Sequence, residues 1–190
     1  MVVNMKRLLW ILPVVVLIVG ATVWGQRPTI DPKLITIRLA RAAGPPEGRV
    51  SLPLSLTAAA AGAKIGALQL DVTMPKALLT FTGAETAGLS DGVSAALKTD
   101  TKADAKDPTL IDLSVSLSTM NSSKVPLPDG TLVYLLFQIS KDAKLKTLIP
   151  VGMTGTAVSV DNKPVEPISV AGNSVEVSEA AIISCFFYMH

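Results

Sequence analysis

The chain has very little cysteine and histidine, the residues on which disulfides, zinc sites and the bases of nucleophilic active sites depend. It contains one cysteine, Cys185, and one histidine, His190, among 190 residues. A single cysteine excludes an intrachain disulfide. One cysteine and one histidine cannot supply the four ligands of a structural zinc site. His190 is the last residue, which is a poor position for a general base. We therefore predict no cofactor, no metal site and no enzymatic activity.

Aromatic residues and net charge are also scarce. Aromatic residues make up 4% of the chain, so it offers few of the ring platforms on which sugars stack. The 17 basic residues nearly balance the 15 acidic ones, and Lys6 and Arg7 account for the difference. No basic patch stands out, and this argues against a nucleic-acid partner.

The N-terminus carries the pattern of an export signal. Lys6 and Arg7 precede an uncharged apolar run from Leu8 to Trp24. A basic segment followed by an apolar run of this length is typical of a secretory signal peptide. The run is also near the lower limit for spanning a bilayer, so an uncleaved anchor is the alternative. Residues 1–25 are predicted to export the chain to the cell surface, the periplasm or the medium, with membrane contact only through this leader.

The body of the chain alternates between apolar and polar residues, which is the period of a β-strand with one buried face. Alternation is strict in Arg49–Leu56, Ile65–Met74, Leu110–Ser118 and Thr131–Ser140. Pro75 is expected to end the second of these strands. The predicted core includes Val50, Leu52, Leu54, Leu68, Leu70, Val72, Leu113, Val115, Leu135 and Phe137.

The remaining segments are predicted to be shorter strands joined by turns. The strands are Leu34–Arg41, a run through Leu78, Leu79 and Phe81, a weak Val93–Thr99, a bent or divided Thr147–Val160, and Ser174–Val177. Pro53 removes a ladder donor, so its strand is expected at a sheet edge or with a local irregularity. Turns or loops are predicted for Ala42–Gly48, Ala58–Ala63, Gly83–Gly92, Thr101–Pro108 and Asp161–Pro167. About nine short strands without a convincing helix indicate an antiparallel sandwich or barrel.

The two ends of the chain are predicted to lie outside this β-domain. Residues 26–33 contain Pro28 and Pro32 and are interpreted as a linker. The domain spans residues 34–178. Residues 179–190 form an apolar, aromatic tail that is too short to span a membrane, and we interpret it as a truncated or disordered end.

Four segments together resemble the cohesin family. They are Gly48–Leu56 (GRVSLPLSL), Ile65–Phe81 (IGALQLDVTMPKALLTF), Asp129–Ile139 (DGTLVYLLFQI) and Ala157–Val177. The resemblance spans roughly residues 34–178 and rests on the order and spacing of the segments. It implies an antiparallel jelly-roll β-sandwich, related in fold to bacterial carbohydrate-binding modules. It also implies attachment to a protein partner such as a dockerin module.

The resemblance also implies where a partner would bind. Alternation places Gln69, Asp71 and Thr73 on the outer side of one strand, and Asp112, Ser114 and Ser116 on the outer side of another. In cohesins the two corresponding strands are neighbours in the sheet that meets the partner. The polar positions that grip dockerins fall near Ala67 and Gln69, and only Gln69 keeps hydrogen-bonding capacity. Tyr134 and Leu136 share an outer face and form an alternative contact patch.

Other functions fit parts of the same pattern. A carbohydrate-binding module with a polysaccharide partner is the first alternative, and an accessory domain of a secretion or pilus assembly is the second. Asp100, Asp104 and Asp107 could offer oxygen ligands to calcium, but their spacing is not that of an EF-hand loop. A solvated acidic loop is the interpretation that we favour for them.

Overall fold

A computed structural model describes residues 34–89, 93–120 and 125–179 of the chain. The predicted leader 1–25, the linker 26–33 and all but Glu179 of the predicted tail lie outside the described residues. No helix within those three ranges is long and apolar enough to cross a membrane.

The described residues form eleven β-strands and one short 3-10 turn. The turn covers Ala59–Ala61, inside the segment predicted as a loop. The strands are β1 (Ile35–Leu39), β2 (Ala42–Gly44), β3 (Arg49–Thr57), β4 (Ile65–Pro75), β5 (Leu79–Thr86), β6 (Ala95–Ala103), β7 (Leu110–Thr119), β8 (Gly130–Ile139), β9 (Leu148–Ser159), β10 (Ile168–Ala171) and β11 (Asn173–Val177).

The strands form two sheets that enclose one hydrophobic core. One sheet has the order β10-β1-β3-β8-β5 and the other the order β2-β11-β9-β4-β7-β6. The predicted all-β sandwich is confirmed. The terminal strands add a feature that alternation did not predict, because β1 pairs with β10 and β11 pairs with β2 in parallel. The sheets are therefore mixed, with antiparallel pairs in their centres.

The core follows the predicted alternation. All ten residues predicted to lie in the core are buried. Phe137 is fully buried, and its ring meets that of the half-buried Phe81 edge to face, with the centroids 5.7 Å apart. Such aromatic pairs contribute beyond the area that they bury. The four strictly alternating segments thus supply the centre of both sheets.

Pro53 lies in an interior strand, not at a sheet edge. Strand β3 has β1 on one side and β8 on the other, and Pro53 lies opposite Tyr134 of β8. The ladder is irregular directly afterwards, with a shift in register between Leu54 and Ser55. Of the two expectations for Pro53, the local irregularity is the one observed. The Pro53 carbonyl accepts the N–H of Ala40, just past the end of β1, at 2.8 Å. The N–H that proline lacks would therefore point to the β1 side, where the ladder with β1 ends, and no bond to β8 is lost.

Strand β9 is continuous from Leu148 to Ser159, so of the two predictions for this segment the divided strand is wrong. Gly155 permits a close approach of β9 to β4 and does not break the strand. A Cβ atom on Gly155 would lie 2.5 Å from the carbonyl oxygen of Gln69. Glycine inside a strand often marks such a close contact between backbones. Gly155 therefore holds β9 against the strand that carries Gln69 and Asp71.

Strands β2, β6 and β10 are the places where the sequence-based prediction was incomplete. Strand β2 falls in a predicted turn, and β10 was not predicted. Strand β6 begins at Ala95 and continues to Ala103, into the predicted polar loop Thr101–Pro108. Residues 98 to 103 are exposed on both faces. Because neither face is buried there, the apolar alternation that reveals a strand is missing.

Asp129 ties two loops together. Its carboxylate accepts hydrogen bonds from the backbone N–H groups of Ala58, at 2.8 Å, and Ala59, at 3.1 Å. Gly130 follows with φ +110°, a conformation that favours glycine. The Asp129-Gly130 turn thus also anchors the 3-10 turn after β3.

Candidate functional site

The six residues of the first predicted site lie directly opposite one another on β4 and β7. Gln69 pairs with Ser116, Asp71 with Ser114, and Thr73 with Asp112. Their neighbours within each strand, such as Leu70 and Val115, are buried in the core. The structure therefore brings all six together on the outward side of one sheet.

Two of these cross-strand pairs are hydrogen-bonded. The Ser114 hydroxyl donates to the Asp71 carboxylate at 2.7 Å. The Thr73 hydroxyl donates to the Asp112 carboxylate at 3.1 Å. The bonds orient both carboxylates along the sheet. Each carboxylate keeps further acceptor capacity for a partner.

The neighbouring strands extend this surface on both sides. Strand β9 places Thr154 opposite Asp71 and Thr156 opposite Gln69. Strand β6 places three charged residues opposite β7: Lys98 faces Ser116, Asp100 faces Ser114, and Lys102 faces Asp112. We call the outward side of β9, β4, β7 and β6 the polar face. Sequence reasoning missed its β6 part, although the alternation of lysine and aspartate at 98, 100 and 102 was visible.

The polar face has mixed charge and lacks aromatic anchors among its described residues. Its charged groups are the carboxylates of Asp71, Asp100 and Asp112 and the ammonium groups of Lys98 and Lys102. None of them takes part in the one salt bridge of the described residues, which joins Arg41 to Glu176 at 2.8 Å. Among its described residues, the face therefore offers charged groups that form no ion pair, two of which are carboxylates already accepting a hydroxyl group, and it has no ring on which a sugar could stack.

The alternative patch lies on the other sheet. Tyr134 of β8 is 37% exposed and has Pro53 and Glu85 as its cross-strand neighbours. Leu136 is half-buried on the same strand. The patch is outward-facing, as predicted, but narrow. It is separated from the polar face by the full thickness of the sandwich.

Asp104 and Asp107 are held in a turn between β6 and β7. The Asp104 carboxylate accepts the backbone N–H groups of Asp107, at 2.9 Å, and Lys106, at 2.6 Å. The Asp107 carboxylate accepts the hydroxyl and the N–H of Thr109. These bonds lower the pKa of both carboxyls, because they favour the charged form. No group of three or more histidine, cysteine or acidic residues in the described ranges could hold a metal ion.

One short segment matches a hydrolase motif by its letters. Residues 88–92 read GLSDG, which fits the G-x-S-x-G pattern of a nucleophile elbow. That elbow requires a strand followed by a helix. Here the segment joins two strands, β5 and β6, and Ser90 lies outside the described residues. The match therefore lacks the structural context that gives the motif its chemistry.

Comparison with solved structures identifies the architecture. The third cohesin of ScaC from Acetivibrio cellulolyticus, solved in complex with a ScaB dockerin, matches with a TM-score of 0.60 and 13% identity, covering 76% of this chain and 99% of that one. The fold is that of a cohesin module. A non-cellulosomal cohesin from the archaeon Archaeoglobus fulgidus matches with a TM-score of 0.52 and 14% identity, covering 76% of this chain and 91% of that one.

A third matching structure is a cohesin module that is part of a glycoside hydrolase. The cohesin module of a family 33 glycoside hydrolase from Clostridium perfringens has a TM-score of 0.55 and 11% identity, and covers 76% of this chain and 96% of that one. No family model and no curated protein matches the sequence. The resemblance to cohesins predicted from four segments is thus confirmed at the level of the fold.

Proposed function

We propose that this chain is a non-catalytic binding module that attaches a protein partner of dockerin type through its polar face. The observation that carries the proposal is the direct pairing of the six predicted residues on β4 and β7, within a cohesin fold. Matching cohesin structures include a complex with a dockerin. The polar face lies on four hydrogen-bonded strands, and a surface that is already ordered loses little conformational entropy on binding.

The chemistry of the polar face determines the kind of contact that it makes. Binding energy at interfaces is concentrated in buried Trp, Tyr and Arg residues, and the described part of this face has none. Its contribution comes from hydrogen bonds, each of about 0.5–1.5 kcal/mol. The partner must therefore bring the aromatic or arginine anchors. Asp71, Asp100 and Asp112 favour arginine or lysine at the centre of the complementary surface.

A binding experiment tests this proposal. The full chain is titrated with a panel of purified dockerin modules in a calorimeter, and is used as bait in a secretome pull-down. The test variant is Asp71→Lys with Asp112→Lys, which reverses charge at the centre of the polar face. The matched control is Glu85→Lys with Asp142→Lys, which makes the same change in net charge away from that face.

The outcomes are distinct. If the polar face binds the partner, the Asp71/Asp112 variant loses binding while the Glu85/Asp142 control keeps it. If only the Glu85/Asp142 control loses binding, the interface lies near Tyr134 and Leu136, because Glu85 lies opposite Tyr134. Retention of the chain on cellulose or chitin, with no protein captured, would replace the proposal with polysaccharide binding.

Export is a second part of the proposed function. The basic residues Lys6 and Arg7 followed by an apolar run support it. A fusion of residues 1–26 to a reporter that is active only outside the cytoplasm should give activity. Substitution of Lys6 and Arg7 by glutamate serves as the control and should reduce it. Reporter activity confined to the cytoplasm would contradict export, and mass spectrometry of the mature N-terminus separates cleavage from anchoring.

A further inference from the structure

Strand β6 is unlike the other three sheet edges. The strand orders leave β10, β5, β2 and β6 at the edges. Strand β2 has three residues and β10 has four, while β5 carries a bulge between Phe81 and Gly83. Short strands, bulges and charged side chains are devices by which proteins protect an edge from pairing, and of these β6 carries only charged side chains. Strand β6 has nine residues, contains no proline and keeps an unbroken register with β7.

Within the described ranges no strand pairs with the outer side of β6, and the backbone groups of β6 follow a defined pattern. The N–H of Asp104 donates to the carbonyl of Leu110 at 3.3 Å, and the N–H of Met120 donates to the carbonyl of Ser94 at 2.8 Å. Both bonds fit the β6–β7 register, so the even-numbered residues bond to β7. Bonding directions alternate along a strand. The odd-numbered residues of β6 therefore point their N–H and C=O groups at the open edge: Ala95, Leu97, Thr99, Thr101 and Ala103.

The charges of β6 are complementary to themselves. Lys98, Asp100 and Lys102 alternate in sign along the outward side. When two copies of β6 pair antiparallel over their whole length, Thr99 faces Thr99 of the second copy. Lys98 then faces Asp100 of the second copy, and the reverse pair forms by symmetry. Opposite charges directly across a ladder stabilise it, and like charges destabilise it.

The same charges disfavour the nearest alternative registers. A slip of two residues in one direction puts Asp100 opposite Asp100 and Lys98 opposite Lys102. A slip of two residues in the other direction puts Lys98 opposite Lys98. Slips of one residue fail because they would place a residue whose N–H and C=O point at the open edge opposite a residue whose N–H and C=O already bond to β7. Full overlap is therefore favoured both by the number of ladder bonds and by the charges.

We propose that β6 is a self-association edge, and that its occupant is the β6 strand of a second copy of this chain. The two strands pair antiparallel about a two-fold axis at Thr99, which is the isologous arrangement of most homodimers. The pairing joins two six-stranded sheets into one continuous sheet of twelve. It also places the two polar faces side by side on the same surface. The proposal stands on the edge alone and does not depend on the proposed function.

Sedimentation velocity of the full chain over a range of concentrations, in a reducing buffer that keeps Cys185 a free thiol, tests the edge. We expect a reversible monomer–dimer equilibrium. Lys98→Asp places like charges opposite each other twice in the dimer and should weaken it about tenfold or more. Adding Asp100→Lys to that variant restores both opposite-charge pairs and should return the dimerisation constant to the wild-type range.

Two further variants make the test specific to this register. Lys102 lies opposite the uncharged Ala96 of the second copy, so Lys102→Asp should leave the dimer unchanged. Thr99→Pro removes an N–H that points at the open edge and should abolish the dimer without removing a bond to β7. A wild-type chain that is monomeric at all concentrations overturns the proposal. So does a dimer that Lys98→Asp and Thr99→Pro both leave intact, since its interface would lie elsewhere.

Discussion

The Ser114 hydroxyl donates a 2.7 Å hydrogen bond to the Asp71 carboxylate, across the central strand pair of the polar face. This bond joins the two strands that carry all six residues of the predicted site. It also fixes the direction of a carboxylate that would otherwise rotate freely on an exposed surface. A partner thus meets an acceptor that is already oriented. The Asp71 side chain loses its conformational entropy on folding, so less is lost on binding.

We predict that this bond contributes only modestly to folding. Ser114→Ala should lower the free energy of unfolding by no more than about 0.5–1.5 kcal/mol, because Asp71 is exposed and water replaces the lost donor. Denaturant unfolding of Ser114→Ala, Asp71→Ala and the double variant gives the coupling energy of the pair. A loss well above this range for Ser114→Ala alone would show that the bond is a structural requirement of the sheet.

The core prediction is tested by a pair of substitutions on one strand. Phe137 is fully buried and packs edge to face on Phe81. Phe137→Ala should therefore lower the free energy of unfolding by about 3–5 kcal/mol. Tyr134→Ala, three residues earlier on the exposed face of β8, is the matched control and should cost much less. Similar losses for the two variants would mean that β8 contributes equally to the core through both of its faces.

The sequence predicted the strands whose two faces differ. Strands β3, β4, β7 and β8 each bury one side, so leucine, valine and phenylalanine alternate with polar residues and the register follows. The six residues of the site were predicted to face outward for the same reason. Their pairing as neighbours could not be derived from alternation, because the period of one strand carries no information about which strand lies beside it.

The elements that the sequence missed lack that contrast. Strand β6 is exposed on both faces from residue 98 onward, so polar composition alone made its second half look like a loop. Strand β2 has only three residues, too few for a period of two to show. Gly155 suggested a break in β9, but it is needed for the close approach of β4. That approach is a tertiary contact, which the local sequence does not reveal. Long-range pairing decided the structure in all three cases.

Asp129 is predicted to be the most important exposed carboxylate for stability. It accepts the N–H groups of both Ala58 and Ala59, which would otherwise lack partners at the start of the 3-10 turn. Loss of such a capping side chain costs about 0.5–2 kcal/mol. Asp129→Ala should show a loss in this range by denaturant unfolding. Asp142→Ala, in the loop after β8, serves as the control. Equal stability of the two variants would show that water replaces the Asp129 carboxylate without loss.

The turn between β6 and β7 is predicted to open in acid. Hydrogen bonds from the backbone N–H groups of Asp107 and Lys106 lower the pKa of Asp104, and those from the hydroxyl and N–H of Thr109 lower the pKa of Asp107. A carboxyl whose pKa is lower in the folded state stabilises that state above its unfolded pKa, about 3.9 for aspartate. That contribution disappears as the pH falls from this value through the lower folded pKa.

Nuclear magnetic resonance measures this directly, through the carboxyl carbons of Asp104 and Asp107 and the amide protons of Lys106, Asp107 and Thr109. Both carboxyls should titrate below about 3.9. The amide signals should shift over the same pH range as the turn loses its acceptors. Asp104→Asn is the matched control, because its amide oxygen still accepts a hydrogen bond but does not titrate. In this variant the amide signals of Lys106 and Asp107 should no longer shift over this pH range. Titration of both carboxyls at or above the ordinary aspartate value would mean that the turn bonds are not maintained in solution.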